Sequence, residues 1–279
     1  MAHKKKNLID PKTLGLPLCG CDSHAHIVSD KLWEQRDDIL ERAKEAGVAY
    51  IGEIFLGHIQ YRTKKDYFAD KPQVFFIYGL HPTDLLEIAE NELDLLREDF
   101  EKDQKGEKRI KAVGEIGLDY YWKEVPQDLQ KEYFRKLLQM AKEFQLPVVI
   151  HSRDAFDDTV EILLEEGFHN YPLLWHCFDR DEKSATIILS HGWHISVPGS
   201  VTFKPNEYLR EAVKVIDIDK LLVETDSPYL TPEPWRGQTN ESALTVFTAK
   251  CIAEQKNMEV AELWKKCGEN ALRFFNVEK

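Results

Sequence analysis

The chain has 279 residues, 43% of them apolar, and a formal net charge of −12. That length and apolar content support a large core, either as two small domains or as one α/β barrel. The acidic balance excludes a protein that coats nucleic acid through a broad basic surface, but not one that holds a polyanion at a local site, where bound metal ions supply the positive charge and catalytic carboxylates deepen the negative count.

No run of eighteen or more apolar residues occurs, so no transmembrane helix is expected. Lys4, Lys5 and Lys6 are not followed by the apolar core of a signal peptide, because Asp10, Pro11 and Lys12 interrupt it. Residues 1–16 therefore read as a flexible lead-in and 17–279 as a single domain. The five cysteines include Cys19 and Cys21 on one strand face, with no second pair to complete a zinc ribbon, which favours reduced thiols in the cytoplasm.

In chain order, the apolar run Leu16–Cys21 predicts a first strand that leads into Asp22-Ser23-His24-Ala25-His26. Side chains alternate on a strand, so His24 and His26 project to one side, about 6 to 7 Å apart along the backbone. The spacing suits two imidazoles on one divalent ion, or two rings each satisfied by hydrogen bonds. Leu32–Ala46 has helical apolar spacing and stops at Gly47, and Val48–Ile54 is the second strand. Val74–Tyr78 is the third, followed by a helix from Thr83, whose hydroxyl would cap it, to Lys102. Ile110–Glu115 is strand four and Pro126–Phe144 a helix with proline in its first turn. Strands then fall at Pro147–His151, Leu173–His176, His194–Val197 and Leu221–Glu224. Helices intervene at Ala155–Glu166, Asp181–Ser190 and Asn206–Val215, and the last two span Glu241–Glu254 and Val260–Phe275. Eight strand–helix repeats with apolar strands predict a single (β/α)8 barrel. The competing doubly wound sheet would need a glycine-rich phosphate loop after its first strand, and none is there.

In such a barrel the C-terminal strand ends meet at one mouth. Those ends carry His24 and His26, Glu115, His151, His176 and, just past strand eight, Asp226. Singly, each has a plainer role: Glu115 as a rim charge or helix cap, His151 as a hydrogen-bonded rim residue, Asp226 as the cap of a turn before Pro228. Together they form a set of metal donors. Cys177 should face away from His176 and belong to the core. His81, in Gly79-Leu80-His81-Pro82, faces the mouth either as a substrate contact or in a structural role, while His3, His58, His169, His191 and His194 read as surface or capping residues.

These motifs, with Gly114-Glu115-Ile116-Gly117-Leu118-Asp119-Tyr120, His151-Ser152-Arg153-Asp154-Ala155, His176-Cys177-Phe178 and Glu224-Thr225-Asp226-Ser227-Pro228-Tyr229-Leu230, resemble the TatD family of metal-dependent deoxyribonucleases, among the amidohydrolase-like barrels. The resemblance runs from about residue 20 to 275. It implies two divalent ions, Mg, Mn or Zn, with His24 and His26 on one, His151 and His176 on the other, Glu115 bridging and Asp226 closing the first. It implies catalysis by Asp226 and Glu115 through an activated water, and a DNA substrate, trimmed from the 3′ end when single-stranded or damaged. Asp179 and Arg180 replace the family's usual Ser-Gly after His-Cys-Phe, and Gln238 and Thr239 weaken its basic stretch after Arg236-Gly237; both bear on substrate preference, not on the ligands. A small-molecule amidohydrolase or phosphoesterase using the same site is the alternative. Arg153 and Arg236 would clamp a phosphate, or else pair with Asp154 and Glu233. Tyr120, Tyr121 and Trp122 would stack a base, or else pack beneath a loop. No membrane partner is expected, and the chain is read as a monomer.

Overall fold

Alternation of apolar strands with amphipathic helices closes into a barrel in the computed structural model, which describes residues 8–278. The strands are β1 (Gly20–Ala25), β2 (Val48–Leu56), β3 (Val74–Gly79), β4 (Ile110–Asp119), β5 (Val148–Arg153), β6 (Leu173–Trp175), β7 (His194–Val197) and β8 (Leu221–Val223). Each pairs in parallel with the next. The helices are α1 (Arg36–Glu45), α2 (Gly57–Lys64), α3 (Glu92–Lys105), α4 (Gln127–Phe144), α5 (Phe156–Glu165), α6 (Glu182–Ser190), α7 (Glu207–Val215), α8 (Thr245–Lys256) and α9 (Val260–Phe274). None of the described helices is long and apolar enough to cross a membrane.

Alternation along the strands produces two apolar layers. One set of side chains, including Ile54, Ile77, Ala112, Val149, Leu174 and Leu222, fills the inside of the barrel, and Phe274 of the last helix and Phe275 just after it join this set. The opposite set packs under the helices; α4, for example, buries Phe134, Leu137, Leu138, Ala141 and Phe144 at helical spacing. Full burial on both faces explains why the strands read as apolar runs.

The seam between β8 and β1 is made differently. Backbone pairing there is reduced to a bridge between Ala25 and Ser227, and side chains from the first motif complete it. Asp22 accepts from the Thr225 N–H at 2.9 Å and the Thr225 hydroxyl at 2.7 Å, and the Ser23 hydroxyl donates to Val223 O at 3.0 Å. Above them, Asp226 N–H donates to His24 O and His26 N–H to Ser227 O, both at 3.0 Å.

Four expectations change. Between β2 and β3 the chain forms α2, whose single buried residue, Tyr61, leaves no apolar period to read. The helix expected from Thr83 begins at Glu92, because the Thr83 hydroxyl lies 2.6 Å from His81 Nδ1 and 3.0 Å from Asp84 instead of capping. β4 continues past Glu115 to Asp119 through an irregularity between Val113 and Ile116. The expected lead-in is anchored in its later part: Pro11–Leu14 forms a 3-10 turn with Pro11 buried, and Trp235 Nε1–H donates to Ile9 O at 2.7 Å. Lys4–Lys6 lie outside the described residues.

Candidate metal centre

Six side chains that the sequence places at strand ends converge at the mouth. From β1, His24 and His26 present their Nε2 atoms 3.2 Å apart. Asp226 follows β8 with its backbone in the left-handed region (φ 53°), and its Oδ1 lies 3.3 Å from His26 Nε2 and 3.8 Å from His24 Nε2. Glu115 divides its carboxylate between two groups. Oε2 faces His24 at 3.4 Å and His26 at 3.8 Å, while Oε1 lies 2.7 Å from both His151 Nδ1 and His176 Nε2. Close approach of β4 to β5 makes this reach possible: Gly117, paired with His151, has φ +145°, and a Cβ there would stand 2.0 Å from His151 O.

His24, Glu115 and His176 are nearly sealed from solvent, and His24 stacks on His176 with ring centroids 3.9 Å apart. Burial alone would raise the Glu115 carboxyl, but His176 and His81, with bonds from His151 and His176, hold it well below the usual carboxylate range. Asp226 is held down in the same way by His26. Burial and the neighbouring His176 lower His24. Burial would also lower His176, yet Glu115 and Glu224 raise it well above an ordinary imidazole.

Imidazole nitrogens and carboxylate oxygens gathered in groups of three within 4.8 Å of one another are a donor set that a cation would satisfy. Glu115 thus joins two groups, His24, His26 and Asp226 beside Oε2 and His151 and His176 beside Oε1, and the threesomes close enough to share an ion include His24, His26 and Asp226, then His24, Glu115 and His176, and then His81, Glu115 and His151. His81 stands at the edge of the group beside Oε1, with Nε2 3.5 Å from Glu115 Oε1 and 3.4 Å from His151 Nδ1. Nitrogen and oxygen donors of this kind suit Zn or Mn, and accommodate Mg less readily.

The substrate-side candidates separate. Arg153 and Arg236 are exposed, and each lies over an aromatic face, Tyr121 at 3.8 Å and Phe203 at 4.1 Å from the ring centroid. Tyr120 is half-buried against the core, and its hydroxyl donates to Asp158 at 2.7 Å. Tyr121 and Trp122, next in the chain, are about half exposed, at 49% and 51%.

Three carboxylates behind the ligands escaped the sequence reading. Asp119 Oδ2 lies 2.9 Å from His151 Nε2. Glu224 Oε1 lies 3.5 Å from His176 Nδ1 and accepts the Cys177 N–H at 2.6 Å, while the Ser196 hydroxyl donates to its other oxygen. Glu53 of β2 accepts the N–H groups of Ile27 and Val28 at 3.2 and 2.9 Å, fixing the turn after His26. A charged residue inside the apolar strand Val48–Leu56 was the available signal for Glu53, as was Glu224 two positions before Asp226. Cys177 is also corrected: its φ of 48° breaks the strand alternation, so it is half-buried with Sγ 4.0 Å from Asp226 Oδ2 instead of joining the core.

The family model for TatD related DNase matches residues 21–276. The uncharacterized metal-dependent hydrolase YabD of Bacillus subtilis is 35% identical over 256 residues, spanning 92% of this chain and 98% of its own. YcfH of Escherichia coli K12, also an uncharacterized metal-dependent hydrolase, is 35% identical over 260 residues, with 92% and 96% covered. Among solved structures, the TatD homologue YjjV of E. coli K12 superposes with a TM-score of 0.85 at 24% identity, over 94% of this chain and 100% of that one. That likeness establishes the barrel.

Proposed function

The chain belongs to the family of TatD-related DNases, metal-dependent hydrolases, and from that premise we propose that it hydrolyses DNA phosphodiester bonds with two divalent ions, Mg, Mn or Zn, as a 3′-to-5′ exonuclease on single-stranded or damaged DNA. The observation that carries the reading is the division of Glu115, one oxygen toward each histidine pair. Bound ions would polarise the phosphoryl oxygen and lower the pKa of a water toward neutrality. The residues supply the rest.

His24, His26 and Asp226 would hold one ion and His151 and His176 the other, with Glu115 shared. Asp226, kept ionised by His26, accepts a proton from the attacking water. Arg153 at the end of β5 and Arg236 beyond β8 would contact phosphate, with their guanidinium groups held over Tyr121 and Phe203. The base-stacking role falls to Tyr121 and Trp122, because Tyr120 is half-buried and its hydroxyl is held by Asp158. None of the five cysteines is in a disulfide, and the enzyme suits a reducing cytoplasm.

The test is a panel of 3′- and 5′-labelled single- and double-stranded oligonucleotides, incubated with Mg, Mn or Zn and resolved by product length, with Asp226→Asn as control. Stepwise 3′ shortening that weakens as salt rises is expected. If every oligonucleotide stays intact under all three ions while small esters or amides are hydrolysed, the nuclease assignment fails.

A further inference from the structure

We propose that Asp119 is a positioning residue that fixes the tautomer of His151, placing the ring proton on Nε2 and reserving the Nδ1 lone pair for a cation. Asp119 is the last residue of β4 and only 1% exposed. Its Oδ2 lies 2.9 Å from His151 Nε2, and its Oδ1 accepts the backbone N–H groups of Tyr121 and Trp122, both at 3.0 Å. Its own backbone is clamped by the buried Gln130, which accepts the Asp119 N–H at 2.8 Å and donates to the Asp119 carbonyl at 2.9 Å. An ionised carboxylate has no proton to offer, so the nitrogen facing it must be the donor. That leaves Nδ1 as an acceptor 2.7 Å from Glu115 Oε1, an arrangement that a cation shared by both would satisfy.

The inference rests on the metal centre but not on the identity of the substrate. Asp119→Asn discriminates sharply, because the N–H groups of Tyr121 and Trp122 hold the amide oxygen at the Oδ1 position and aim the amide NH2 at His151 Nε2. The imidazole must then accept at Nε2 and carry its proton on Nδ1, facing Glu115. Asp119→Ala removes the carboxylate yet leaves the ring free to keep Nε2–H against water.

Mn and Zn uptake by the full-length, chelator-stripped protein would be measured by calorimetry, and thermal unfolding without metal would follow in parallel. The expected ion affinity falls by about 10- to 100-fold in Asp119→Asn and by less in Asp119→Ala. The expected metal-free stability ranks the other way, with alanine the weaker. Asp119→Ser replaces the alanine variant if that one does not fold. Wild-type affinity in Asp119→Asn, or a lower affinity in alanine or serine than in asparagine, would overturn the proposal and leave Asp119 a purely structural residue. A wild-type chain that takes up no ion would overturn the metal centre and this proposal with it. Normal ion uptake with DNA left intact would overturn the nuclease reading alone, and the ranking of the variants would still decide the role of Asp119.

Discussion

Replacing Asp22 with alanine should loosen the seam between β1 and β8. The carboxylate is fully buried, and its removal strips the Thr225 N–H and hydroxyl of their acceptor. A hydrogen bond to a charged group contributes about 1.5–3 kcal/mol, and a buried donor left unsatisfied costs about 1–3 kcal/mol. Burial works against the charge itself, pushing the Asp22 carboxyl up to about 7, so part of the loss is offset. A net destabilisation of about 2–4 kcal/mol follows, which in a chain of this size is a fall in Tm of roughly 3–7 °C. Asp22→Asn should stay within about 1 kcal/mol of wild type, since the amide can accept from Thr225 N–H and donate to Thr225 Oγ1. Urea and thermal unfolding of both variants would be read beside metal-dependent hydrolysis, which should drop in the alanine variant because the same seam sets His24 and His26 against Asp226. Wild-type stability in the alanine variant, or equal damage in both, would refute the reasoning.

Asp226→Asn and Glu115→Ala should each lower metal-dependent hydrolysis by roughly 100- to 1000-fold, with Asp226→Asn keeping the circular dichroism of the wild type; activity within tenfold would be inconsistent with their placement. Readdition of Mn or Zn to chelator-treated protein at about 100 times the dissociation constant should stabilise it by about 2.7 kcal/mol for each ion bound, read in urea titrations. His194, at the opposite end of the barrel, is lowered by burial and by Lys220 and Arg273 from 6.5 to about 4. Below pH 6.5 the unfolded chain takes up a proton that the folded one refuses, so stability falls as pH drops from 6.5 toward 4. At pH 5 the loss is about 2 kcal/mol, and His194→Gln should remove it when unfolding is compared at pH 7.5 and pH 5.

Much of the candidate site was legible because its six side chains lie within, or just beyond, the C-terminal parts of apolar strands, where burial and periodicity are read most directly. Asp119 was hidden by local backbone geometry. β4 was expected to stop at Glu115, but its irregularity after Val113 and the tight approach at Gly117 carry the strand four residues further, to a carboxylate beneath His151. Cys177 was misplaced because strand alternation does not foresee a residue at φ 48°. Three adjacent aromatics gave no sequence signal for which would be buried, and the bond from Tyr120 to Asp158 decides it. The helix expected at Thr83 failed for a related reason, as its capping hydroxyl is engaged by the mouth residue His81. In each case a contact distant in sequence, or a turn specific to the mouth, overrode a local preference.

The seam also bears on when this protein becomes active during its synthesis. Asp22 and Thr225 are 203 residues apart, and translation proceeds at about 5–20 residues per second, so the ribosome needs roughly 10–40 s to deliver the partner of the first motif. Until then His24 and His26 lack both Asp226 and the strand that sets their direction. A nascent chain that has not yet reached Asp226 therefore holds an incomplete centre, and hydrolytic capacity waits for β8 and the turn that follows it.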